Sequence, residues 1–80
     1  MKMTNVLRTT LLEATAHEAR ESEWLDEDFV RIAAAIVAVP EDKELELRPA
    51  FDAGELEELE MTPDEIVALA AEYHGLAHLA

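Results

Sequence analysis

Thr62-Pro63-Asp64-Glu65-Ile66-Val67-Ala68-Leu69-Ala70-Ala71-Glu72-Tyr73-His74-Gly75 reads as one helix from start to stop. Thr62 is placed to cap it. Pro63 suits the first helical position, where a backbone N–H would have no partner anyway, and Glu65 stands third, as in a capping box. Ile66, Leu69, Ala70 and Tyr73 recur at three- and four-residue spacings and make one apolar face. Gly75 ends or frays the helix ahead of Leu76 to Ala80.

Upstream, two more helices are written less completely. Thr4 or Asn5 can cap a first helix through about Glu21, with Leu7, Leu11 and Ala14 on one face. Asp26 opens a second, with Glu27 and Asp28 in its first turn at the positive end of the helix dipole and Leu25 placed to staple against Val30. That helix runs through Phe29, Ile32, Ala33, Ile36 and Val37, and Pro40 stops it. Between the second and last helices, Glu44-Leu45-Glu46-Leu47 alternates with the period of a half-buried strand. Its partner is expected in Ile36 to Val39, as a hairpin over Pro40 to Lys43, or in the stretch after Gly54. Asp52-Ala53-Gly54 reads as a turn or helix entry, and Leu56 and Leu59 favour a short helix beyond it. The expected fold is mainly α: one small compact domain over residues 1 to 80, with three main helices and a short β segment or hairpin in the acidic middle.

The candidate core is Val6, Leu7, Leu11, Leu12, Phe29, Val30, Ile32, Ile36, Val37, Ile66, Val67, Leu69, Leu76 and Leu79, a thin set because much of the 50% hydrophobic content is alanine. Eighty residues lie near the lower limit for a core without disulfides or metal. There is no cysteine, so a disulfide scaffold and a thiolate zinc site are excluded. Residues 1 to 5 are polar and no long apolar span follows, so neither secretion nor membrane insertion is expected, and the expected location is cytoplasmic.

Charge is the loudest compositional feature. Nineteen acids face six bases for a net −13, and they come in blocks. Glu13 to Asp28 holds seven acids against Arg20 alone, and Glu41 to Glu65 holds eleven against Lys43 and Arg48. A single-sign field of this density steers a basic partner toward the protein. Acids three or four apart on a helix have side-chain roots about 5 to 6 Å apart, comparable with charges along a nucleic-acid backbone. The expected partner is therefore a basic protein surface, with no direct nucleic-acid binding and no membrane. The candidate contacts are Glu21, Glu23, Trp24, Asp26, Glu27 and Asp28, then Glu41, Asp42, Glu44, Glu46, Glu55, Glu57, Glu58 and Glu60. Trp24 has two readings: it packs the helix junction, or it anchors the partner within a rim of acids. Tyr73 and Phe51 read as core.

No enzyme is expected, because none of the usual site elements can be assembled from this chain. Ser22 is the only serine, and Gly54 and Gly75 are the only glycines, so a nucleophile elbow and a phosphate-cradling loop are both missing. His74 and His78 are four apart but lack the glutamate of a zinc-protease helix, and Glu13, His17 and Glu21 read as an ordinary charged row. Asp26-Glu27-Asp28 lacks the glycine turn of a calcium loop. No cofactor and no metal are expected.

The stretches ESEWLDEDF (21–29) and EDKELELRPAFDAGELEELEMTPDE (41–65), in a cysteine-free acidic chain of this size, resemble the small acidic proteins with which phages disable bacterial defences. The likeness is to anti-CRISPR proteins aimed at the type I-C Cascade complex, and it lies in the whole chain rather than in one motif. It implies inhibition by binding in the host bacterial cytoplasm, with acids occupying the lysine- and arginine-rich surface where a Cascade subunit receives target DNA. A monomer is expected. The competing expectation is a small helical adaptor or antitoxin-like regulator that works through an apolar helix face such as Ile66 to Tyr73, and a third is an acidic metal buffer. Self-repulsion at −13 opposes compaction and is screened by salt. The melting temperature should therefore rise between low and moderate salt; a fall on adding salt would contradict this.

Overall fold

The computed structural model describes residues 1–47, 54–58 and 60–79, leaving aside the side chains of Glu57 and Glu58. The expectations for Arg48, Phe51, Asp52, Ala53 and Leu59 lie outside the described residues. The architecture is mainly helical: α1 (Asn5–Glu21), α2 (Asp26–Ala38), a single turn α3 (Glu55–Glu58), α4 (Pro63–Tyr73) and a closing 3-10 turn (Ala77–Leu79). The radius of gyration is 11.3 Å, against about 12 Å for a folded chain of this length.

α1 begins as the sequence implies. Thr4 is extended and its hydroxyl accepts the Leu7 N–H at 3.0 Å, satisfying one of the helix's orphan donors. Leu7, Leu11 and Thr15 are its buried residues; the four-residue steps carry the buried face to Thr15, so the expected Ala14 is only half-buried. In α2, Asp26 is the first helical residue, and the cap position falls to Leu25, which makes no side-chain cap bond. The expected staple is not formed as a buried contact, since Leu25 and Val30 are 63% and 61% exposed. Pro40 disfavours helix at the residue before it, and Val39 is accordingly extended after Ala38.

α4 ends through a Schellman motif: the Leu76 N–H donates to the Ala71 carbonyl at 2.8 Å and the Gly75 N–H to that of Glu72 at 3.0 Å. Gly75 has φ +67° and open space where a Cβ would be. Its role is thus conformational, because the left-handed backbone is free only to glycine.

α2 packs against both α1 and α4. Arg8 near the start of α1 meets the end of α2, while Tyr73 at the end of α4 meets Glu18 near the end of α1. The core joins Met3, Leu7 and Leu11 to Ile32 and Ile36, to Leu45 and Leu56, and to the run Ile66–Ala71. Val6, Val30 and Val37, expected inside, are 65%, 61% and 60% exposed. Periodicity alone could not place Val30 and Val37, because α2 from Phe29 onward has Arg31 as its one charged residue; Val6 lies in α1, one position before the buried Leu7 and off its face.

The alternation at Glu44 to Leu47 is expressed as an extended segment in which Leu45 is buried while Glu44 and Glu46 face outward. Neither expected partner pairs with it. Ile36 to Ala38 are helical in α2, and the stretch after Gly54 is helical in α3. The pairing is made by the chain's first residues, in an isolated antiparallel bridge between Lys2 and Glu44. The Asp42 N–H donates to the Met3 carbonyl at 2.8 Å, and the Met3 N–H donates to that of Lys43 at 3.0 Å.

One side chain ties these pieces together. The Arg8 guanidinium donates from Nη1 to the carbonyls of Ile36 (2.9 Å) and Val37 (2.8 Å), and from Nη2 to that of Val39 (2.7 Å). The last carbonyls of a helix have no intrahelical donor and carry the negative end of its dipole, so a cation with forked donors satisfies both needs. Arg8→Met, which keeps an apolar stem and removes the fork, should lose about 2 kcal/mol and lower the melting temperature by roughly 10 °C. Arg8→Lys should fall between the two. Urea unfolding of the three proteins measures this, and equal midpoints would show that the clamp contributes nothing.

Candidate protein-interaction surface

The acids divide between the two ends of α2. At its start, α1 terminates in a second Schellman-type end: the Ser22 N–H donates to the Glu18 carbonyl at 2.8 Å and the Trp24 N–H to that of Ala19 at 2.9 Å, with Glu23 in the left-handed region at φ 52°. This turn sets Glu21 and Glu23 beside Asp26, Glu27 and Asp28 in the first turn of α2. Glu21, Glu23, Asp26 and Glu27 are exposed and Asp28 is half-buried.

Trp24 lies at the centre of this corner. It is half-buried and packs against the core, so the junction-packing role is present. It also walls two open hollows. One, of about 190 Å³, is shared with Leu25, Asp28, Ile32 and Leu56, and the other, of about 350 Å³, with Ala16, Ala19, Arg20, Asp26 and Phe29. Leu56 brings α3 to this end, and Glu55 with it.

Past Pro40, Glu41, Asp42, Glu44 and Glu46 are all exposed at the opposite end. Glu44 and Glu46 line a hollow of about 260 Å³ with Lys43, Asp64 and Glu65, so the start of α4 adds two further acids. The Asp64 carboxyl is held below its ordinary range, first by the Thr62 hydroxyl and then by backbone N–H groups at the helix start, with Lys43 nearby. A 13-residue helix spans about 20 Å. The acidic block from Glu41 to Glu65 is thus divided in space: residues 41–46 lie with Asp64 and Glu65 at one end of α2, and α3 lies at the other. Glu60 is exposed, and the side chains of Glu57 and Glu58 lie outside the described residues.

Counter-charges are scarce. Setting aside Glu55 and those two glutamates, the described carboxylates make a single ion pair, Glu44 Oε1 with the Met1 ammonium at 2.8 Å. That contact holds the Glu44 carboxyl below its ordinary value. Among the described residues, Glu21, Glu23, Asp26, Glu27 and Asp28 at one end, and Glu41, Asp42, Glu46, Asp64 and Glu65 at the other, make no salt bridge.

Glu18 is engaged differently. Its Oε1 accepts from the Ser22 hydroxyl at 2.7 Å and the Tyr73 hydroxyl at 2.9 Å, and these two bonds lower its pKa. The same bond to Glu18 raises that of Tyr73. His74 packs edge-on to Tyr73, and its Nε2 lies 3.5 Å from the hydroxyl of buried Thr15. His74 and His78 do not share a helical face, because α4 ends at Tyr73 and Gly75 turns the chain before the 3-10 turn. Among the described residues, no three His, Asp or Glu side chains converge to hold a metal. The face expected for an adaptor is also occupied, since Ile66 to Ala71 are buried within the fold. Among the described residues, no helix is long and apolar enough to cross a membrane.

No protein-family model, curated protein or solved structure matches this chain.

Burial lowers the His74 pKa below its ordinary 6.5, and the nearby Glu18 charge opposes this in part. An unfolded chain then binds a proton that the folded one resists, so stability from this group is present above about pH 6.5 and is lost as pH falls through the lowered folded value. Glu18, Glu44 and Asp64 titrate below their ordinary 4.5, 4.5 and 3.8 and lose their contributions only in stronger acid. Relative to His74→Gln, the parent protein should therefore lose stability between pH 7 and 5. A difference in melting temperature that stays flat across that window would contradict the assignment.

Proposed function

We propose that this chain is a non-catalytic inhibitor that binds a basic nucleic-acid-binding surface: an anti-CRISPR protein that blocks target DNA binding by a type I-C Cascade complex in the bacterial cytoplasm. The observation that carries the reading is the pair of carboxylate groups at the two ends of α2, in which Glu21, Glu23, Asp26, Glu27, Glu41, Asp42 and Glu46 are exposed and make no salt bridge among the described residues. Acids without internal counter-ions leave their field directed outward, where it accelerates encounter with a basic surface. About 20 Å between the two groups corresponds to about six phosphates along one DNA strand, so the lysines and arginines of a DNA groove can meet both at once.

The turn at Glu41 and Asp42 and the extended residues after it supply the second contact edge in this reading, as a short β segment whose outward residues are Glu44 and Glu46. Trp24 gives the first contact edge an aromatic anchor, partly exposed between two hollows and ringed by Glu23, Asp26 and Asp28. The mechanism needs no chemistry. The protein competes for the site as a monomer and is displaced as salt screens the field.

The test is competition. Purified protein should abolish target-DNA binding by type I-C Cascade at saturation, and unchanged DNA binding would end this proposal. Reversal of Glu23, Glu27, Glu41 and Glu46 to lysine should slow association at least tenfold and flatten its salt dependence. Trp24→Ala should leave association alone and speed dissociation. Association that ignores salt in the parent protein would contradict a field-driven mechanism.

A further inference from the structure

Residues 29 to 40, FVRIAAAIVAVP, contain no acid and one base, Arg31, in a chain with nineteen acids. A helix on a protein surface ordinarily turns polar residues outward, and one that is apolar all round is ordinarily covered all round. α2 departs from both patterns. Its buried residues are Ile32, Ala35 and Ile36, while Val30 and Val37 are 61% and 60% exposed with exposed Ala34 between them. These three recur at four- and three-residue steps and so form one stripe along the outer face. Helix propensity gives no reason for two β-branched residues there, and neither contributes to the core. Beside the stripe, Arg31, Ala34, Ala35, Ala38, Pro63 and Ile66 line an apolar hollow of about 340 Å³ between α2 and α4.

Both ends of the stripe are acidic. Asp26 and Glu27 stand four and three residues before Val30, one on each side of the stripe, and Glu41 and Asp42 follow Pro40; all four are exposed. An apolar centre within a charged rim is the arrangement of a binding hot spot. The charge also selects the occupant. A second copy laid on this face in either direction would set acids against acids, which like-charge repulsion disfavours. For a basic partner, the flanking acids add to the contact.

We infer that the outer face of α2 is the apolar centre of the docking surface, and that it enters an apolar cleft on the partner whose two ends carry basic side chains. This rests on the inhibitor reading and says where the partner is gripped: the acids of the end clusters govern encounter, and the valine stripe governs residence together with Trp24.

The test is the double variant Val30→Gln with Val37→Gln. Glutamine is a good helix former and both sites are exposed, so circular dichroism and melting temperature should match the parent. Against type I-C Cascade, the variant should bind at least tenfold more weakly through faster dissociation, with the salt dependence of association unchanged. Equal binding by parent and variant overturns the inference and leaves the inhibitor reading standing. If the parent protein does not bind Cascade, the inhibitor reading fails, and a leucine-lysine amphipathic peptide with an apolar seam and basic flanks decides the surface. Peptide-induced amide shifts centred on Val30, Ala34 and Val37, and lost in the variant, uphold the site; shifts centred elsewhere overturn it. A parent protein that sediments as a dimer, and a variant that sediments as a monomer, would make a second copy the occupant and overturn the assigned partner.

Discussion

Three carbonyls at the end of α2 converge on one guanidinium, and the arrangement of the chain follows from that junction. Arg8 fixes the start of α1 against the end of α2, which sets the two helices side by side in opposite directions. Val39 then leaves the helix extended ahead of Pro40, and the chain turns back to pair residues 42–45 with residues 1–3. Leu45 and Met3 enter the core through that pairing. In a protein with six bases, a cation placed at the negative end of a helix is not available to neutralise surface acids. Structural use of Arg8 and the uncompensated outer surface are two sides of one allocation.

Folding also decides what the acidic blocks become. Read along the chain, Glu41 to Glu65 is one run. In space, residues 41–46 join Asp64 and Glu65 at one end of α2, while Leu56 draws α3 to Trp24 at the other. Separation lowers the mutual repulsion of the two groups, since like charges about 20 Å apart lie beyond a Debye length of about 8 Å at physiological salt. Between them runs the acid-free length of α2. A chain with this much negative charge therefore presents a surface graded from anionic to apolar and back again along one helix.

The helices were legible in the sequence because their ends carry local chemistry. Thr4, Pro40 and Gly75 each act within a few residues of their own position, and the Thr62-Pro63-Asp64-Glu65 start also marks a boundary that the structure shares, although Thr62 makes no side-chain cap bond there and its hydroxyl instead meets the Asp64 carboxyl. The Arg8 clamp was not legible, since its acceptors lie 28 to 31 residues away and no spacing rule reaches so far. The partner of the Glu44 to Leu47 alternation was hidden for a related reason: residues 1–3 have no strand pattern of their own. Val30 and Val37 were assigned inward because a helix with Arg31 as its one charged residue from Phe29 onward gives no phase from which to choose a buried face. The acids of the candidate surface were legible as residues and as a sign of charge, but their division into two groups depends on tertiary contacts of Leu45 and Leu56.

The ends of α1 and α4 use the same backbone turn with different residues, glycine at position 75 and glutamate at position 23. A side chain in that left-handed basin costs about 1 kcal/mol. Domains of this size have total stabilities of roughly 4 to 12 kcal/mol, so the penalty is a sizeable share. Relieving it with glycine would also erase a negative charge next to Trp24. At position 23, then, sturdiness and anionic character draw on the same side chain, and any drift of this sequence toward a more robust fold would tend to discharge the corner where the tryptophan is displayed.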